Sequence, residues 1–316
     1  MHIALLEPLL IPDTMLDAMA APLLEQGHDL TIYDQKPASV SELIHRAQGM
    51  DAIIIANTPF PAEAVAACPQ LRYIDVAFTG VDHIAMTACR MRNILVSNAA
   101  NYSNQAVAEL VVGMTVSLLR QLPACDAAVR AQGTGAALIG REIAGRTVGI
   151  IGTGRIGLRV ARLLSAFGDR IIAYDPVPSD KVRALGVRYD TFSEVLRASD
   201  IVTLHAPANE KTYKMMGREQ FALMKPTALF INCARGALVD AAALRDALNS
   251  NVIAGAAVDV FDCEPPLPAD DPLLQAKNIL LTPHIAYASE ESMVRRARIV
   301  FDNLAAFLSG EPVNLC

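Results

Sequence analysis

Residues 147–157 read TVGIIGTGRIG, and no other stretch narrows the possible folds so far. Thr147–Ile151 is an apolar run of strand length. Gly152, Gly154 and Gly157 follow in the spacing G-x-G-x-x-G, and Ile156–Phe167 then has the apolar period of a helix. Each glycine has a steric reason. Gly152 permits a tight turn, Gly154 keeps a side chain away from a pyrophosphate, and Gly157 lets helix and strand approach closely. With Arg155 and Ile156, the turn opens a helix whose N-terminal N–H groups and dipole favour phosphate. A second apolar run, Arg170–Tyr174, ends at Asp175, 18 residues beyond Gly157. A carboxylate there accepts hydrogen bonds from the adenine ribose and repels a 2′-phosphate. Pro176, Val177 and Pro178 bring no arginine, so NAD is expected rather than NADP.

The same alternation of short apolar runs and amphipathic stretches extends through the chain, the mark of βαβ units and parallel sheets. Strands are expected at His2–Glu7, Leu30–Tyr33, Asp51–Ala56, Tyr73–Ala77 and Ile94–Ser97. Helices are expected near Met15–Gln26, Val40–Gln48 and Ala62–Ala67, with a long one at Asn104–Arg120 that Ser103 caps. After a glycine-interrupted stretch, 131–140, six strands are expected: Thr147–Ile151, Arg170–Tyr174, Ile201–His205, Ala228–Asn232, Ile253–Val258 and Ile279–Thr282. A last helix spans about Glu290–Leu308. The expected fold is α/β, with two Rossmann-like domains built on parallel sheets. A nucleotide-binding domain, 101–287, is inserted in a flavodoxin-like substrate domain made of 1–100 and 288–316. Two crossings between domains make a hinge and a cleft for substrate.

At 316 residues, two domains are the default. The chain is 53% hydrophobic with a mean hydropathy of +0.31, yet no run approaches the ~18 apolar residues of a membrane helix. The N-terminus MHIALLEPLL lacks a basic region and reads as a strand, not a signal peptide. A net charge of −6 argues against a nucleic-acid surface. The six cysteines form no C-x-x-C pair, so reduced thiols, no metal site and a cytoplasmic location are expected.

Three further segments each follow an expected strand: Asn232-Cys233-Ala234-Arg235-Gly236, Asp259 to Pro265, and Thr282-Pro283-His284-Ile285-Ala286. In open α/β sheets ligands bind at this carboxyl edge. An Arg, a Glu and a His there suit keto-acid reduction. Arg235 can grip a carboxylate bidentately and polarise the carbonyl. His284 can donate a proton, and Glu264 can orient the ring and favour its charged form. Asp82 and His83 form a rival acid/base pair, but G-V-D-H before a helical stretch reads as a turn and an N-cap. His205 ends a strand and reads as shaping the cofactor groove without proton chemistry.

Taken together, FTGVDHI (78–84), NAANYSNQAVAEL (98–110), GIIGTGRIG, the run from Asn232 to Asp240, AAVDVFDCEPP (256–266) and TPHIAYAS (282–289) identify a resemblance. The chain resembles the D-isomer-specific 2-hydroxyacid dehydrogenases, the family of D-lactate, glycerate/hydroxypyruvate and 3-phosphoglycerate dehydrogenases. The resemblance implies an NAD-dependent oxidoreductase that interconverts a small 2-keto acid and its D-2-hydroxy acid. It implies Arg235, Glu264 and His284 as catalytic residues, with Thr79, Gly80 and Tyr287 beside the substrate. Thr79, His205, Ala206, Pro207, Thr212, Cys233, Ala234, Asp259, His284 and Ala286 would border the cofactor with the phosphate loop. It also implies a homodimer built through the Asn101–Arg120 region.

The chain departs from the family in having no Trp, so that Ala136–Ile139 occupies the place where relatives often carry one. At this length, the regulatory domain of the longer members is not expected. Glu264 stands where formate dehydrogenases of this fold have Gln. An NAD-sensing, corepressor-like binding module would retain the same three residues, but no Ser/Pro-rich or basic tail is present. A phosphite-type dehydrogenase on the same scaffold also keeps the triad. The substrate pocket is expected to include the loop 7–12, Phe78 and Tyr287. Leu9, Leu10, Ile11 and Phe78 offer no charge, which favours a small uncharged side chain, as in glyoxylate, hydroxypyruvate or pyruvate.

Overall fold

The computed structural model describes residues 1–135, 138–168 and 170–316, so Ala136 and Ala137, in the tryptophan-free region, lie outside it. The chain divides into two units, Met1–Ser103 with Ala288–Cys316, and Asn104–Tyr287. In chain order the first unit holds β1 (His2–Leu5), α1 (Asp13–Glu25), β2 (Asp29–Ile32), α2 (Val40–Ala47), β3 (Ala52–Ile55), α3 (Ala62–Ala67), β4 (Tyr73–Val76), α4 (Met86–Met91) and β5 (Leu95–Asn98). Its five parallel strands lie in the order β2-β1-β3-β4-β5, the flavodoxin-like order. Central β3 and β4 are buried along their whole length, as strands covered on both faces must be.

The second unit holds α5 (Asn104–Arg120), α6 (Leu122–Arg130), β6 (Thr147–Ile151), α7 (Arg155–Ser165), β7 (Arg170–Tyr174), α8 (Asp180–Arg183), β8 (Arg188–Tyr189), α9 (Phe192–Ala198), β9 (Ile201–Leu204), α10 (Arg218–Leu223), β10 (Leu229–Asn232), α11 (Ala241–Asn249), β11 (Gly255–Val258) and β12 (Ile279–Leu281). Its parallel sheet runs β12-β11-β10-β9-β6-β7-β8, with the order reversing beside β6 at the phosphate loop. Among the described residues seven strands stand here rather than the six expected. The addition, β8, is only two residues long and pairs with β7 through Ile172↔Arg188 and Ala173↔Tyr189.

The chain then returns to the first unit as α12 (Glu290–Leu308). Its N-terminus carries a reciprocal cap, in which Ser292 N–H donates to Ser289 Oγ at 3.2 Å and Ser289 N–H to Ser292 Oγ at 3.0 Å. In the first unit Asp82 and His83 lie in a turn, but neither caps a helix. The N-cap of α4 is Ala85, which has no side chain to offer the exposed N–H groups.

Beside the uncharged Leu9 and Phe78, the structure sets a buried cation from α12. Arg296 is buried, its Nη2 donates to the Leu9 carbonyl at 2.6 Å, and its guanidinium lies 5.6 Å from the centre of the Phe78 ring. Nothing in the spacing of the loop 7–12 announces a cation supplied from nearly three hundred residues away. The start of the same segment is held too. Arg46 Nη1 donates to the Leu6 carbonyl at 2.8 Å, and Glu7 Oε1 accepts from the Ala56 and Thr58 N–H groups at 2.8 and 3.0 Å.

One buried group works against this unit. Asp75 on β4 is fully buried, with Asn303 Nδ2 donating to its Oδ1 at 3.1 Å and no hydrogen-bond partner for Oδ2. Burial pushes its carboxyl well above the ordinary range, against a smaller opposing effect of the Asn303 amide. The folded state therefore holds this proton more tightly than the unfolded state. Stability from this group is greatest below the unfolded carboxyl range and declines as pH rises toward the raised folded value. Asp75→Asn keeps the acceptor for Asn303 and removes the charge. Its melting temperature should exceed wild type by about 2–4 °C at pH 8, with the gain shrinking toward pH 4. Thermal melts across that range check it, and a loss at pH 8 would contradict it.

Candidate active site

The phosphate loop has the steric economy its glycines imply. Gly152 has φ +92°, and a Cβ on it would stand 2.6 Å from the His205 carbonyl carbon and 2.7 Å from Ala206 N. A Cβ on Gly157 would lie 2.1 Å from the Gly152 carbonyl oxygen. Around Gly154 the opposite holds: no atom lies within 4 Å of the place a Cβ would take. Gly154 is also the N-cap of α7 and gives the helix no side-chain cap, so its first N–H groups face this open cradle. Arg155 and Ile156 form the first turn. The residues present fit a dinucleotide pyrophosphate.

Asp175 lies just beyond β7. Its Oδ2 accepts from Thr153 N–H at 2.7 Å and from the Thr153 hydroxyl at 3.0 Å, and its Oδ1 from Val177 N–H at 2.9 Å. Thr153 carried no role in the sequence reading, although it sits inside the glycine motif. Beyond β9, His205 shares a hydrogen bond between its Nε2 and the Thr203 hydroxyl at 3.0 Å. Burial pushes the His205 ring down to about 3, which favours its neutral form at physiological pH. The following loop folds on itself. The Thr212 hydroxyl donates to the Pro207 carbonyl at 2.7 Å and accepts from Asn209 N–H at 2.9 Å.

Arg235 follows β10 in a turn that Asn232 closes. The buried Asn232 side chain donates to the Arg235 carbonyl at 2.9 Å and accepts from Ala234 N–H at 3.0 Å. Gly236 then seats against the loop after β11, where a Cβ would stand 2.0 Å from the Phe261 carbonyl carbon. That contact sets the Arg235 turn against the segment leading to Glu264, an interlock between loops that the linear motif does not reveal. Cys233 is buried, and its thiol donates to the Met114 sulfur at 3.6 Å. Burial, and then the Asp259 charge, push that thiol upward, away from nucleophile chemistry.

Asp259, fully buried, organises the third loop. Its Oδ1 accepts from the Thr282 hydroxyl at 2.5 Å and Ile285 N–H at 2.9 Å, and its Oδ2 from Ala286 N–H at 2.8 Å. His284 N–H donates to the Asp259 carbonyl at 2.8 Å, holding His284 at φ +53°. A left-handed residue other than Gly costs on the order of 1–3 kcal/mol, and these four bonds hold it there. The result is a direct pair. His284 Nδ1 lies 3.0 Å from Glu264 Oε1, with the imidazole a quarter exposed and the carboxylate half exposed. Tyr287 stands edge-on to the imidazole with ring centres 5.6 Å apart.

Arg235, Glu264 and His284 thus stand on the carboxyl edges of three adjacent strands, β10, β11 and β12. In the first unit, Thr79 and Gly80 follow β4, and the Thr79 carbonyl accepts from Asn98 Nδ2 at 2.7 Å. Arg141, another cation of the second unit, donates to the Thr227 carbonyl at 2.9 Å, at the amino end of β10. It lies on the wrong edge of the sheet. No helix among the described residues is long and apolar enough to cross a membrane, although the bent pair α5 and α6 passes that test jointly.

Comparison with known proteins identifies the family. Residues 112–286 match the D-isomer specific 2-hydroxyacid dehydrogenase, NAD binding domain. The chain is 38% identical over 301 residues to the glyoxylate reductase of Korarchaeum cryptofilum, covering 92% of this chain and 90% of that one. Among solved structures, an acyclic imino acid reductase in complex with NADPH and D-Arg superposes with a TM-score of 0.89 at 28% identity, over 100% of both chains. The D-lactate dehydrogenase of Aquifex aeolicus, complexed with NAD and lactic acid, superposes with a TM-score of 0.86 at 28% identity, over 98% of this chain and 96% of that one. The chain therefore belongs to the D-isomer specific 2-hydroxyacid dehydrogenase family and takes NAD as its cofactor.

Proposed function

We propose that this protein reduces a small 2-keto acid to its D-2-hydroxy acid with NADH, Arg235 holding the carboxylate and His284 supplying the proton. The observation that carries the reading is the 3.0 Å contact between His284 Nδ1 and Glu264 Oε1, one strand from Arg235. Bound NADH supplies the hydride to the carbonyl carbon. The Arg235 fork takes the carboxylate in two parallel hydrogen bonds and draws electron density from the adjacent carbonyl. As charge builds on the carbonyl oxygen, imidazolium delivers its proton there. With Nδ1 committed to Glu264, Nε2 is the donating atom. Asp259 Oδ2 accepts the Ala286 N–H bond, and the same reading assigns Asp259 to the nicotinamide carboxamide.

Glyoxylate, hydroxypyruvate and pyruvate are the substrates of choice, and the Korarchaeum glyoxylate reductase favours the first of them. The reading also includes a cytoplasmic homodimer. The first part is supported by six cysteines that are all free, the second by exposed Leu122 and Val129 on α6, beside the Asn101–Arg120 region. The test is a panel of 2-keto acids with NADH, followed at the nicotinamide absorbance. At least one of these three should be reduced, and the product should be the D-isomer. NADH binding without turnover of any keto acid would defeat the proposal.

A further inference from the structure

We infer that Tyr189 is a positioning residue for cofactor choice, holding the Asp175 carboxylate through Thr153 in the orientation that receives the adenine ribose. The inference rests on the reading of Asp175 as the ribose acceptor and extends it to two residues outside that reading. Three hydrogen bonds run in one direction. Ser179 N–H donates to the Tyr189 hydroxyl at 3.0 Å, the Tyr189 hydroxyl to Thr153 Oγ1 at 2.8 Å, and the Thr153 hydroxyl to Asp175 Oδ2 at 3.0 Å. A hydroxyl has a single proton to give. Because Tyr189 accepts from the main chain, its proton is directed at Thr153, and the Thr153 proton is in turn directed at the carboxylate.

The strand β8 is what brings this hydroxyl into place. It has two residues, and its pairing sets Tyr189 beside Ala173, two positions before Asp175. A carboxylate offers about four lone-pair sites. Thr153 fills both sites of Oδ2 with its N–H and its hydroxyl, and Val177 N–H fills one site of Oδ1. The remaining acceptor site is therefore on Oδ1, in a carboxylate that three donors prevent from turning. A ribose hydroxyl can donate to that site. A 2′-phosphate presents only acceptor oxygens and negative charge to the same atom, and the fixed carboxylate cannot swing aside.

Loosening the relay should weaken NADH and relax discrimination against NADPH. Tyr189→Phe should raise the NADH Kd by about 3- to 10-fold, the scale of one lost hydrogen bond in a network, with NADPH changed by less than twofold. Thr153→Val should have a larger effect in the same direction, and Thr153→Ser, which keeps the hydroxyl, should restore the wild-type ratio. Adding Tyr189→Phe to Thr153→Val should change little further, because the two act through one bond. The measurement is nucleotide fluorescence titration with both cofactors, beside thermal melts of each variant.

Equal losses for NADH and NADPH, with a fallen melting temperature, would show a merely structural tyrosine and overturn the inference. So would an unchanged cofactor ratio in Tyr189→Phe and Thr153→Val. Asp175→Ala separates the two levels. If it narrows the ratio while the relay variants do not, Asp175 reads the ribose without help from Tyr189. If it leaves the ratio unchanged, the Asp175 reading itself fails and the relay falls with it.

Discussion

His284→Ala should still bind NADH yet reduce its best keto acid roughly 100- to 10,000-fold more slowly in kcat, the range for losing a positioned acid. The expectation follows from how much of the unit is arranged around this one ring. Asp259 is buried and gives both carboxylate oxygens to the loop that carries His284, and its carbonyl takes the His284 N–H. Burial raises the Asp259 carboxyl, against the lowering effect of those same hydrogen bonds, so the loop is built at an electrostatic cost. The hydrogen bonds it makes in return hold the left-handed backbone that sets Nδ1 at 3.0 Å from Glu264.

The pH dependence has a definite sign. Reduction needs the proton on the ring and slows as pH rises, whereas oxidation needs the ring without it and slows as pH falls. Glu264 lies 3.0 Å from Nδ1, and Glu264→Gln keeps a polar partner there while removing the carboxylate. The maximum rate of that variant should lie closer to wild type than that of His284→Ala. Paired pH–rate profiles, with NADH binding followed by fluorescence, measure both effects. A His284→Ala enzyme as fast as wild type would remove His284 from the chemistry.

The sequence reading reached those parts of the molecule whose causes are local. Thr147–Ile151 and Ala52–Ile55 read as strands because both faces of a parallel sheet are buried, which makes the whole run apolar. Gly152 and Gly157 were legible because each has one steric reason, and the loop geometry supplies it. What escaped was non-local or too short to carry a period. Two residues of β8 have no pattern to detect, and with them went Tyr189. Arg296 reaches Leu9 from the other end of the chain, so no window around either residue contains the contact. Gly236 was visible as a letter beside Arg235, but its reason lies in the Phe261 backbone, a neighbour only after β10 and β11 have paired. The left-handed turn at His284 carries no glycine to announce it, because the Asp259 bonds stabilise it instead.

The second large effect belongs to Arg235. Arg235→Lys should keep NADH affinity and lower kcat/KM for keto-acid reduction by at least about 100-fold. Charge is conserved in this change, so the experiment isolates geometry. The Arg235 main chain cannot move to help the shorter head group. Asn232 holds the Arg235 carbonyl at 2.9 Å, and at Gly236 a Cβ would already stand 2.0 Å from Phe261. Within that fixed frame, guanidinium presents two parallel N–H bonds to a carboxylate and has further donors for the adjacent carbonyl, whereas ammonium is a single point of charge. Carboxylate grip and carbonyl polarisation are therefore lost together, and KM should rise while kcat falls. A rise in KM alone would mean that Arg235 binds substrate without assisting hydride transfer. Near-normal kcat/KM would mean that another cation grips the carboxylate. Arg141 donates to the Thr227 carbonyl on the amino edge of the same sheet, away from the edge that carries Arg235, which makes Arg295 on α12 the next cation to test.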